Sequence, residues 1–180
     1  MKHSELTLVT ATLPERVSLL QEMLDSVITQ TMQPACHIVL RDHGAGFVNT
    51  VNRAVNMVDT EFFCLVDDDD LLYRNHVETL TKALSQFNDI VWTWCDVQGR
   101  DWNPNQSYEP GKLQTGNYIP SNMAMRTPLW HTLGGYREGH GHPDWDLLKR
   151  AETKGASFLN IPEVTWVYRF HDSNMSRGVR

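Results

Sequence analysis

Phe62-Phe63-Cys64-Leu65-Val66 runs directly into Asp67-Asp68-Asp69-Asp70, so an apolar segment ends in four consecutive acidic residues. The apolar run has no polar alternation, which predicts a central parallel strand over 61–66 that is buried on both faces. Ligands of open α/β sheets bind beyond the carboxyl ends of the strands, and the acidic run follows such an end. Four neighbouring carboxylates repel one another and favour a hard cation such as Mg²⁺, Mn²⁺ or Ca²⁺. A solvated acidic turn is the alternative interpretation.

The segments before this strand alternate between strand and helix patterns. A strand over 6–10 precedes Thr12-Leu13-Pro14-Glu15, which carries the N-cap residue, first-turn proline and capping glutamate of a helix start. Apolar residues then recur at helical spacing as far as Ile28, and the strand pattern over 37–40 follows. A second helix, with valines at its apolar positions, leads into the strand over 61–66. Strands that alternate with helices predict βαβ units of a parallel sheet.

The segments after the acidic run continue this alternation, with a helix marked by Val77, Leu80, Leu84 and Phe87 and a strand over 89–94. The stretch 96–114 is rich in Gly, Pro, Asn and Gln, which predicts a long loop of the kind that is often functional. The remaining pattern predicts a strand over 121–126, a short helix ending at Gly134-Gly135, a helix over 144–154, and strands near 158 and over 164–168. We therefore expect one α/β domain over 1–180, with a mostly parallel central sheet flanked by helices.

Composition and charge narrow the class of protein. The 180-residue chain is 41% hydrophobic and 21% charged, which is typical of a folded globular protein. Its formal net charge of -6 argues against a general nucleic-acid binder, because such affinity depends on Lys and Arg. No segment approaches the roughly 20 apolar residues of a membrane helix, and the N-terminus lacks the apolar core of a signal peptide. Three widely spaced cysteines predict free thiols, so we expect a cytoplasmic protein.

Several short motifs follow one another along the chain at characteristic spacings. Asn52 stands fifteen positions before Asp67, and an Asp follows the second predicted strand. The residues in question are Thr12, Leu24-Asp25-Ser26-Val27-Ile28-Thr29-Gln30-Thr31, Asp42, Asn52 and Asp67-Asp68-Asp69. Their order and spacing resemble the inverting nucleotide-sugar glycosyltransferases of the GT-A fold, in particular the large family 2. The resemblance covers nearly the whole chain and implies the GT-A fold.

The resemblance also implies a donor and a cofactor. The donor would be a nucleotide-diphosphate sugar, with a UDP-sugar as the expected one, and the cofactor Mn²⁺ or Mg²⁺. Metal ligands are implied at Asp67 and Asp69, with His171 of the segment Tyr168-Arg169-Phe170-His171 as a further candidate. Arg16 could approach the nucleotide base or a phosphate, or it could lie at the surface. The full expected donor site consists of Thr10, Thr12, Arg16, Asp42, Asn52, Asp67 and Asp68.

A second motif region lies further along the chain. Gly134-Gly135-Tyr136, followed by Pro143-Asp144-Trp145-Asp146-Leu147-Leu148, is similar to the catalytic segments of the family. The resemblance implies that Asp144 is the general base that takes the proton of the acceptor hydroxyl in a single, inverting displacement. Pro143 replaces the glutamate of the family pattern, which leaves the acceptor contact of that glutamate open. The alternative role for Asp144 is a helix N-cap.

Tryptophans supply the candidate acceptor contacts. The chain has six of them, and their apolar faces are surfaces on which sugar rings could stack. We expect Trp145, beside the proposed base, and Trp102, in the long loop, to contact the acceptor. Trp92 and Trp94 share one face of a predicted strand, where packing is the favoured interpretation. The acceptor could be a glycan, a protein or a small molecule.

Two other functions stay open. His140-Gly141-His142-Pro143-Asp144 imitates the His-x-His-x-Asp motif of metal-dependent hydrolases, in which His171 would be another ligand. Trp145 stands where the hydrolase motif has a further histidine, and the hydrolase hypothesis leaves the acidic run unexplained. The second alternative is an inactive nucleotide-sugar-binding module on the same fold. The presence of both Asp144 and His171 argues against that module.

Overall fold

The structure is a computed structural model that describes residues 4–84, 88–172 and 174. Its centre is one seven-stranded sheet with the strand order β2-β1-β3-β6-β5-β7-β4. The strands are β1 Leu6–Thr12, β2 Cys36–Arg41, β3 Phe62–Leu65, β4 Leu71–Leu72, β5 Ile90–Gln98, β6 Ala124–Arg126 and β7 Phe158–Arg169. The helices are α1 Val17–Ile28, α2 Phe47–Val55, α3 His76–Leu84, α4 Thr127–Leu133 and α5 Pro143–Thr153.

The sheet is mostly parallel, as the sequence predicts. Strand β1 pairs in parallel with β2 and β3, and β5 pairs in parallel with β7. The short strand β6 lies antiparallel between β3 and β5, and β4 is antiparallel to β7. Strands β1, β2, β3, β5 and β7 therefore share one direction, and their carboxyl ends meet at one edge of the sheet.

Helices cover both faces of this sheet, which explains why the central strand β3 is apolar on both of its faces. On one face, α2, α4 and α5 contribute side chains such as Val51, Trp130 and Leu147 to a buried cluster. On the other face, α1 and α3 contribute side chains such as Met23 and Leu80 to a second cluster. Burying a side chain of this size stabilises the fold by roughly 1.5–3 kcal/mol. None of the described helices is long and apolar enough to cross a membrane.

The predicted start of the first helix is wrong. Thr12 is the last residue of β1, and α1 begins only at Val17. The Thr12 hydroxyl donates to a carboxylate oxygen of Asp68 at 2.6 Å, so it is not free to cap the helix. Arg16 occupies the N-cap position without a side-chain hydrogen bond to the helix backbone. The hydrogen bond from Thr12 to Asp68, which is remote in sequence, therefore outweighs the local capping pattern.

Several strand boundaries also differ from the prediction. The strands expected near 158 and over 164–168 are one strand, β7, which follows β5 through register shifts at Trp94. Strand β5 continues to Gln98, so the loop is shorter than predicted and ends in a 3₁₀ turn at Lys112–Gln114. The pairing of β4 with β7 was not predicted, because two residues carry no periodicity. The short helix α4 is confirmed, with a proline in its first turn and Gly134 at φ 76° after its end.

Candidate active site

A cavity of about 480 Å³ opens beyond the carboxyl ends of β1 and β3 and alongside β5 and β7. This is the place where open α/β sheets bind ligands. Acidic residues line one part of the cavity, and aromatic residues of β5, β7 and the neighbouring loops line the other. The lining of the cavity includes Thr12, Arg16, Asp42, Asp67, Asp68, Asp69, Trp92, Trp94, Trp102, Asn117, Ser121, Tyr136, His142, Asp144, Trp166, Tyr168 and Asn174.

Asp67 is the first acid after β3 and is half-buried at the cavity wall. Ser121 donates its hydroxyl to Asp67 Oδ2 at 2.8 Å. Burial, and then the negative charge of Asp69, raise the pKa of Asp67 to about 7, although the Ser121 hydrogen bond opposes this shift. The carboxylates of Asp67 and Asp69 therefore lie close enough to repel each other, and a bound cation would offset this repulsion.

Asp68 and Asp69 share one cationic partner. Arg16 Nη1 lies 2.7 Å from Asp68 Oδ1 and 2.9 Å from Asp69 Oδ2, and it approaches from the turn that follows β1. The pKa of Arg16 is raised, because its hydrogen bonds and charge interactions with Asp68 and Asp69 outweigh the effect of burial. The sequence allowed either a surface position or a site position for Arg16. In the structure, Arg16 lines the cavity and pairs with the acidic run.

Asp69 also collects the contacts that come from the end of the chain. His171 Nε2 lies 3.1 Å from Asp69 Oδ2, and Asn174 Nδ2 donates to the same oxygen at 3.3 Å. Arg169, the last residue of β7, donates its side-chain Nε–H to the Asp69 carbonyl oxygen. The segment after β7 therefore closes over the acidic run, and it places His171 beside one of the predicted metal ligands.

The acidic run has the chemistry of a hard-cation site. Carboxylate oxygens of Asp67, Asp69 and Asp70 lie within 4.8 Å of one another. Asp70 Oδ2 is buried and has no hydrogen-bond partner, and burial followed by the charge of Asp67 raises the pKa of Asp70 well above its usual range. An all-oxygen donor set of this kind fits Mg²⁺ or Mn²⁺. Asp70, which was not among the predicted ligands, belongs to the group.

Asp144 lies in the first turn of α5 and lines the same cavity. Its Oδ2 accepts a hydrogen bond from Asn117 Nδ2 at 3.3 Å. His142 occupies the N-cap position of α5, and no side chain caps that helix. The structure therefore does not support the alternative in which Asp144 serves as an N-cap, and its carboxylate is held at the cavity wall.

Asp42 follows β2 and holds the turn that leads into α2. Its Oδ1 accepts backbone N–H groups from Gly44 at 2.9 Å, Ala45 at 2.7 Å and Gly46 at 3.1 Å. Burial alone would raise the pKa of Asp42, but these backbone hydrogen bonds outweigh that effect and lower it. Asp42 thus lies at the edge of the cavity with a carboxylate that the turn stabilises in its charged form.

Three predicted donor and acceptor residues do not line the cavity, and neither does His171, which nevertheless contacts Asp69. Thr10 is buried in β1, where its hydroxyl donates to the Val66 carbonyl at 2.9 Å. Asn52 holds the backbone of Tyr136 through two hydrogen bonds of 2.9 Å. The indole N–H of Trp145 donates to the Leu113 carbonyl at 2.6 Å, so this ring packs against the 3₁₀ turn. The structure brings together the other predicted donor and metal residues, Trp102 and Asp144.

Sequence reasoning missed the polar groups that reach the acids from distant loops. Ser121 and Asn117 precede β6, and Asn174 lies near the end of the chain. None of them belongs to a pattern that the sequence could have revealed. Trp92 and Trp94 were interpreted as packing residues, and both line the cavity, although Trp92 is also part of the core. Their alternation on β5 places both rings on one face of the strand, and that face borders the cavity.

The histidines of the hydrolase hypothesis do not form a metal site. Within the described residues, Asp67, Asp69 and Asp70 are the only group of three or more His, Cys, Asp or Glu side chains with ligand atoms close enough to share an ion. His140 is 49% exposed and its Nδ1 lies 3.7 Å from Asp146 Oδ1. The geometry therefore does not favour a hydrolase that uses His140, His142, Asp144 and His171.

Comparisons with known proteins agree with this geometry. The profile of the family described as Glycosyl transferase family 2 matches residues 15–140. An uncharacterized glycosyltransferase of Bacillus subtilis (strain 168), YwdF, is 23% identical over 194 residues, which cover 88% of this chain and 72% of that protein.

Solved structures show the same fold at low identity. TarS 1-349 of S. aureus, solved in complex with UDP-GlcNAc, is similar with a TM-score of 0.77 and 13% identity over 98% of this chain. The mannosyltransferase PcManGT from Pyrobaculum calidifontis, in complex with GDP-Man and Mn²⁺, has a TM-score of 0.73 and 16% identity over 99% of this chain. This chain spans 61% and 60% of those two structures. With the fold, the acidic run and the profile match in agreement, the chain belongs to glycosyl transferase family 2.

Proposed function

We propose that this protein transfers a sugar from a nucleotide-diphosphate donor, with a UDP-sugar as the expected donor, to an acceptor hydroxyl with inversion at the anomeric carbon. The observation that carries the proposal is that the acidic run and Asp144 line one cavity. TarS, with UDP-GlcNAc, and the mannosyltransferase, with GDP-Man, have the same fold and bind nucleotide sugars. Their ligands support the choice of donor class.

The acidic end of the cavity would bind the donor. Asp67 and Asp69, with Asp70 and His171 beside Asp69, are the residues that would hold Mn²⁺ or Mg²⁺. A bound divalent cation would offset the charge that grows on the departing diphosphate. Arg16 would hold Asp68 and orient the acidic run, and Asp42 would contact the nucleoside. The Mn²⁺ in the structure of the mannosyltransferase supports this assignment.

Asp144 would act on the acceptor. As the acceptor oxygen forms its bond to the anomeric carbon, Asp144 takes the hydroxyl proton and the nucleoside diphosphate leaves with the electron pair of the broken bond. A positioned general base contributes typically ~10²–10⁴-fold to a rate. The hydrogen bond from Asn117 orients the Asp144 carboxylate toward the cavity. One displacement without an enzyme-bound sugar inverts the configuration.

The aromatic end of the cavity would hold the acceptor. Trp102 is 47% exposed, packs edge-on against Tyr168 with ring centroids 5.9 Å apart, and has the Arg100 guanidinium 5.6 Å from its ring centroid. Aromatic faces stack well on the apolar side of a sugar ring. A glycan, a glycosylated protein or a glycoside would each present such a ring.

The three cysteines are free, which supports the proposed cytoplasmic location.

The proposal is tested by thermal unfolding in the presence of UDP-, GDP- and dTDP-sugars, with and without Mn²⁺. A ligand at 100 times its dissociation constant stabilises the folded state by about 2.7 kcal/mol. We expect a UDP-sugar to raise the melting temperature only when Mn²⁺ is present. Asp69→Asn should abolish this effect, because it removes a carboxylate charge from the acidic run without changing its shape.

Asp59→Asn is the matched control, because Asp59 is an exposed carboxylate outside the cavity. This variant should respond to the nucleotide sugar as the wild type does. If no nucleotide sugar stabilises the wild-type protein in the presence of Mn²⁺, the proposed function is wrong. An equal response of Asp69→Asn and wild type would instead remove the acidic run from the donor site.

A further inference from the structure

Tyr136 lines the cavity with a buried hydroxyl that makes no hydrogen bond within the described part of the chain. Among the lining residues, only the indole N–H of Trp94 is likewise buried without a partner in that part of the chain. The side chain of Tyr136 is only 3% exposed, and its ring packs between Trp130, at 5.0 Å, and Phe47, at 6.1 Å between centroids. By contrast, the hydroxyls of Tyr73 and Tyr108 bond to the carboxylates of Asp96 and Glu152 at 2.7 and 2.9 Å.

The fold holds this residue firmly. Asn52 in α2 accepts the Tyr136 backbone N–H and donates to its carbonyl, both at 2.9 Å. Gly135 adopts φ 67°, and a Cβ there would come within 2.6 Å of Asn52 Oδ1. Only glycine at position 135 therefore allows Asn52 of α2 to hydrogen-bond the Tyr136 backbone at this distance. The backbone of Tyr136 is therefore held in place, although its hydroxyl makes no hydrogen bond within the described part of the protein.

The surroundings of the hydroxyl indicate where a partner would come from. Burial, and then the carboxylates of Asp144 and Asp67, raise the pKa of Tyr136 well above its usual range. The phenol therefore stays protonated, and Tyr136 lines the same cavity as Asp144 and Asp67. A buried hydroxyl without a partner destabilises the folded state, so an unpaired one in a ligand cavity indicates a bond made when the ligand is bound.

We infer that the Tyr136 hydroxyl donates a hydrogen bond to a hydroxyl group of the sugar carried by the donor. The inference rests on the proposed function, in which the diphosphate lies by Asp67 and the acceptor hydroxyl by Asp144. The transferred sugar would lie between these two groups, in the cavity that Tyr136 also lines. A site built to bond a substrate hydroxyl rejects sugars that lack it, so Tyr136 is a specificity-determining residue of the donor site.

The test compares Tyr136→Phe with the wild type by calorimetric titration with a nucleotide sugar and with its free nucleoside diphosphate, both in Mn²⁺. The pair used is the one among UDP-, GDP- and dTDP-sugars that binds the wild type best. We expect Tyr136→Phe to weaken binding of the nucleotide sugar by about 2- to 12-fold, as loss of one hydrogen bond does. Binding of the nucleoside diphosphate should not change.

The stability of the ligand-free protein provides the second readout. Since the Tyr136 hydroxyl has no partner, Tyr136→Phe should unfold at the same temperature as the wild type or at a higher one. Tyr108→Phe is the control, because it removes a hydroxyl that is bonded to Glu152 and should lower the unfolding temperature without changing either affinity.

Unchanged affinity of Tyr136→Phe for the nucleotide sugar, while both ligands still bind, would overturn this inference and leave the proposed function intact. A loss of stability in the ligand-free variant as large as that of Tyr108→Phe would also overturn it, because the hydroxyl would then be bonded within the protein. If neither ligand of any pair binds the wild type, the proposed function fails together with the inference.

Discussion

The four residues Asp67 to Asp70 are adjacent in sequence, but apart from the Arg16 side chain that Asp68 and Asp69 share, their contacts differ. Asp67 accepts a hydrogen bond from Ser121, and Asp68 accepts one from Thr12. Asp69 contacts Arg16, His171 and Asn174, while Asp70 turns inward and keeps one oxygen without a partner. The sequence predicts the acidic run and its place at the end of a strand, whereas these individual roles depend on loops that are remote in sequence.

At Asp144 we expect the loss of the charge to stop transfer without stopping binding. Asp144→Asn removes the proton acceptor and keeps the shape of the side chain, so sugar transfer should fall at least ~100-fold. Nucleotide affinity should stay within twofold, measured by calorimetry on the same preparation. Asp59→Asn should keep full activity. A variant with unimpaired transfer would remove Asp144 from the role of base.

The site residues that sequence patterns identify are those of short local motifs. Asp67, Asp69 and Asp144 belong to such motifs, and all three line the cavity. Asn117 and Ser121 contact these acids from before β6, and neither the loop pattern at Asn117 nor the predicted strand that starts at Ser121 indicates such a contact. Their positions result from the path of the whole chain, which a single sequence does not reveal.

At the scale of elements, the contact between α2 and the segment before α5 holds the cavity wall. Asn52→Ala should lower the free energy of unfolding by about 1–3 kcal/mol, because it leaves the backbone N–H and C=O of Tyr136 without their partners. Urea unfolding measures this change. Asn56→Ala, at the exposed C-terminal end of α2, should have a much smaller effect. Equal effects of the two substitutions would show that Asn52 does not hold this contact.

Helix α3 is anchored by a buried histidine at its first position. His76 Nδ1 lies 2.7 Å from Thr165 Oγ1 in β7, and burial lowers the pKa of His76 to about 3. The unfolded chain takes up a proton near pH 6.5 and the folded protein does not, so stability is retained above pH 6.5. It is lost as pH falls from there toward 3, by about 1.4 kcal/mol per pH unit.

His76→Gln should therefore show a shallower decline of unfolding free energy between pH 6.5 and pH 4 than the wild type. Chemical unfolding at a series of pH values measures the slope. His131→Gln, on the exposed side of α4, should keep the slope of the wild type. An unchanged slope in His76→Gln would mean that this histidine does not stay neutral in the folded protein.

Element boundaries were predictable where only local forces act on them. The end of α4 follows from Gly134, which takes a positive φ that other residues avoid. The start of α1 does not follow from its capping residues, because Thr12 bonds to Asp68 across the sheet edge. Tertiary contacts that decide such boundaries are absent from the local pattern.

At the scale of the whole molecule, the sheet order divides the cavity into two ends. Strands β1 and β3 bring the acids to one end, and β5 and β7 bring Trp94, Trp166 and Tyr168 to the other. The alternation of strands and helices predicted the parallel part of the sheet. The insertion of β6 between β3 and β5 joins its two halves, and it was not predictable because the order of strands depends on long-range pairing.

This division predicts that the two ends can be altered separately. Trp102→Ala should raise the KM for the acceptor by roughly 2- to 12-fold, the effect of losing one aromatic contact. The Kd of the nucleotide sugar should not change, because Trp102 lies at the aromatic end. Met57→Ala, which shortens an exposed apolar side chain outside the cavity, is the control. Weaker donor binding in Trp102→Ala would contradict the division.

The most direct test of sugar transfer at this cavity follows the anomeric configuration of the product by NMR. The donor that stabilises the protein is mixed with Mn²⁺ and a panel of simple glycosides, and spectra are recorded from the first turnovers. We expect release of nucleoside diphosphate together with a product whose anomeric configuration is inverted, and neither with Asp144→Asn. A product of retained configuration, or bound donor that is never turned over, would contradict inverting transfer with Asp144 as the base.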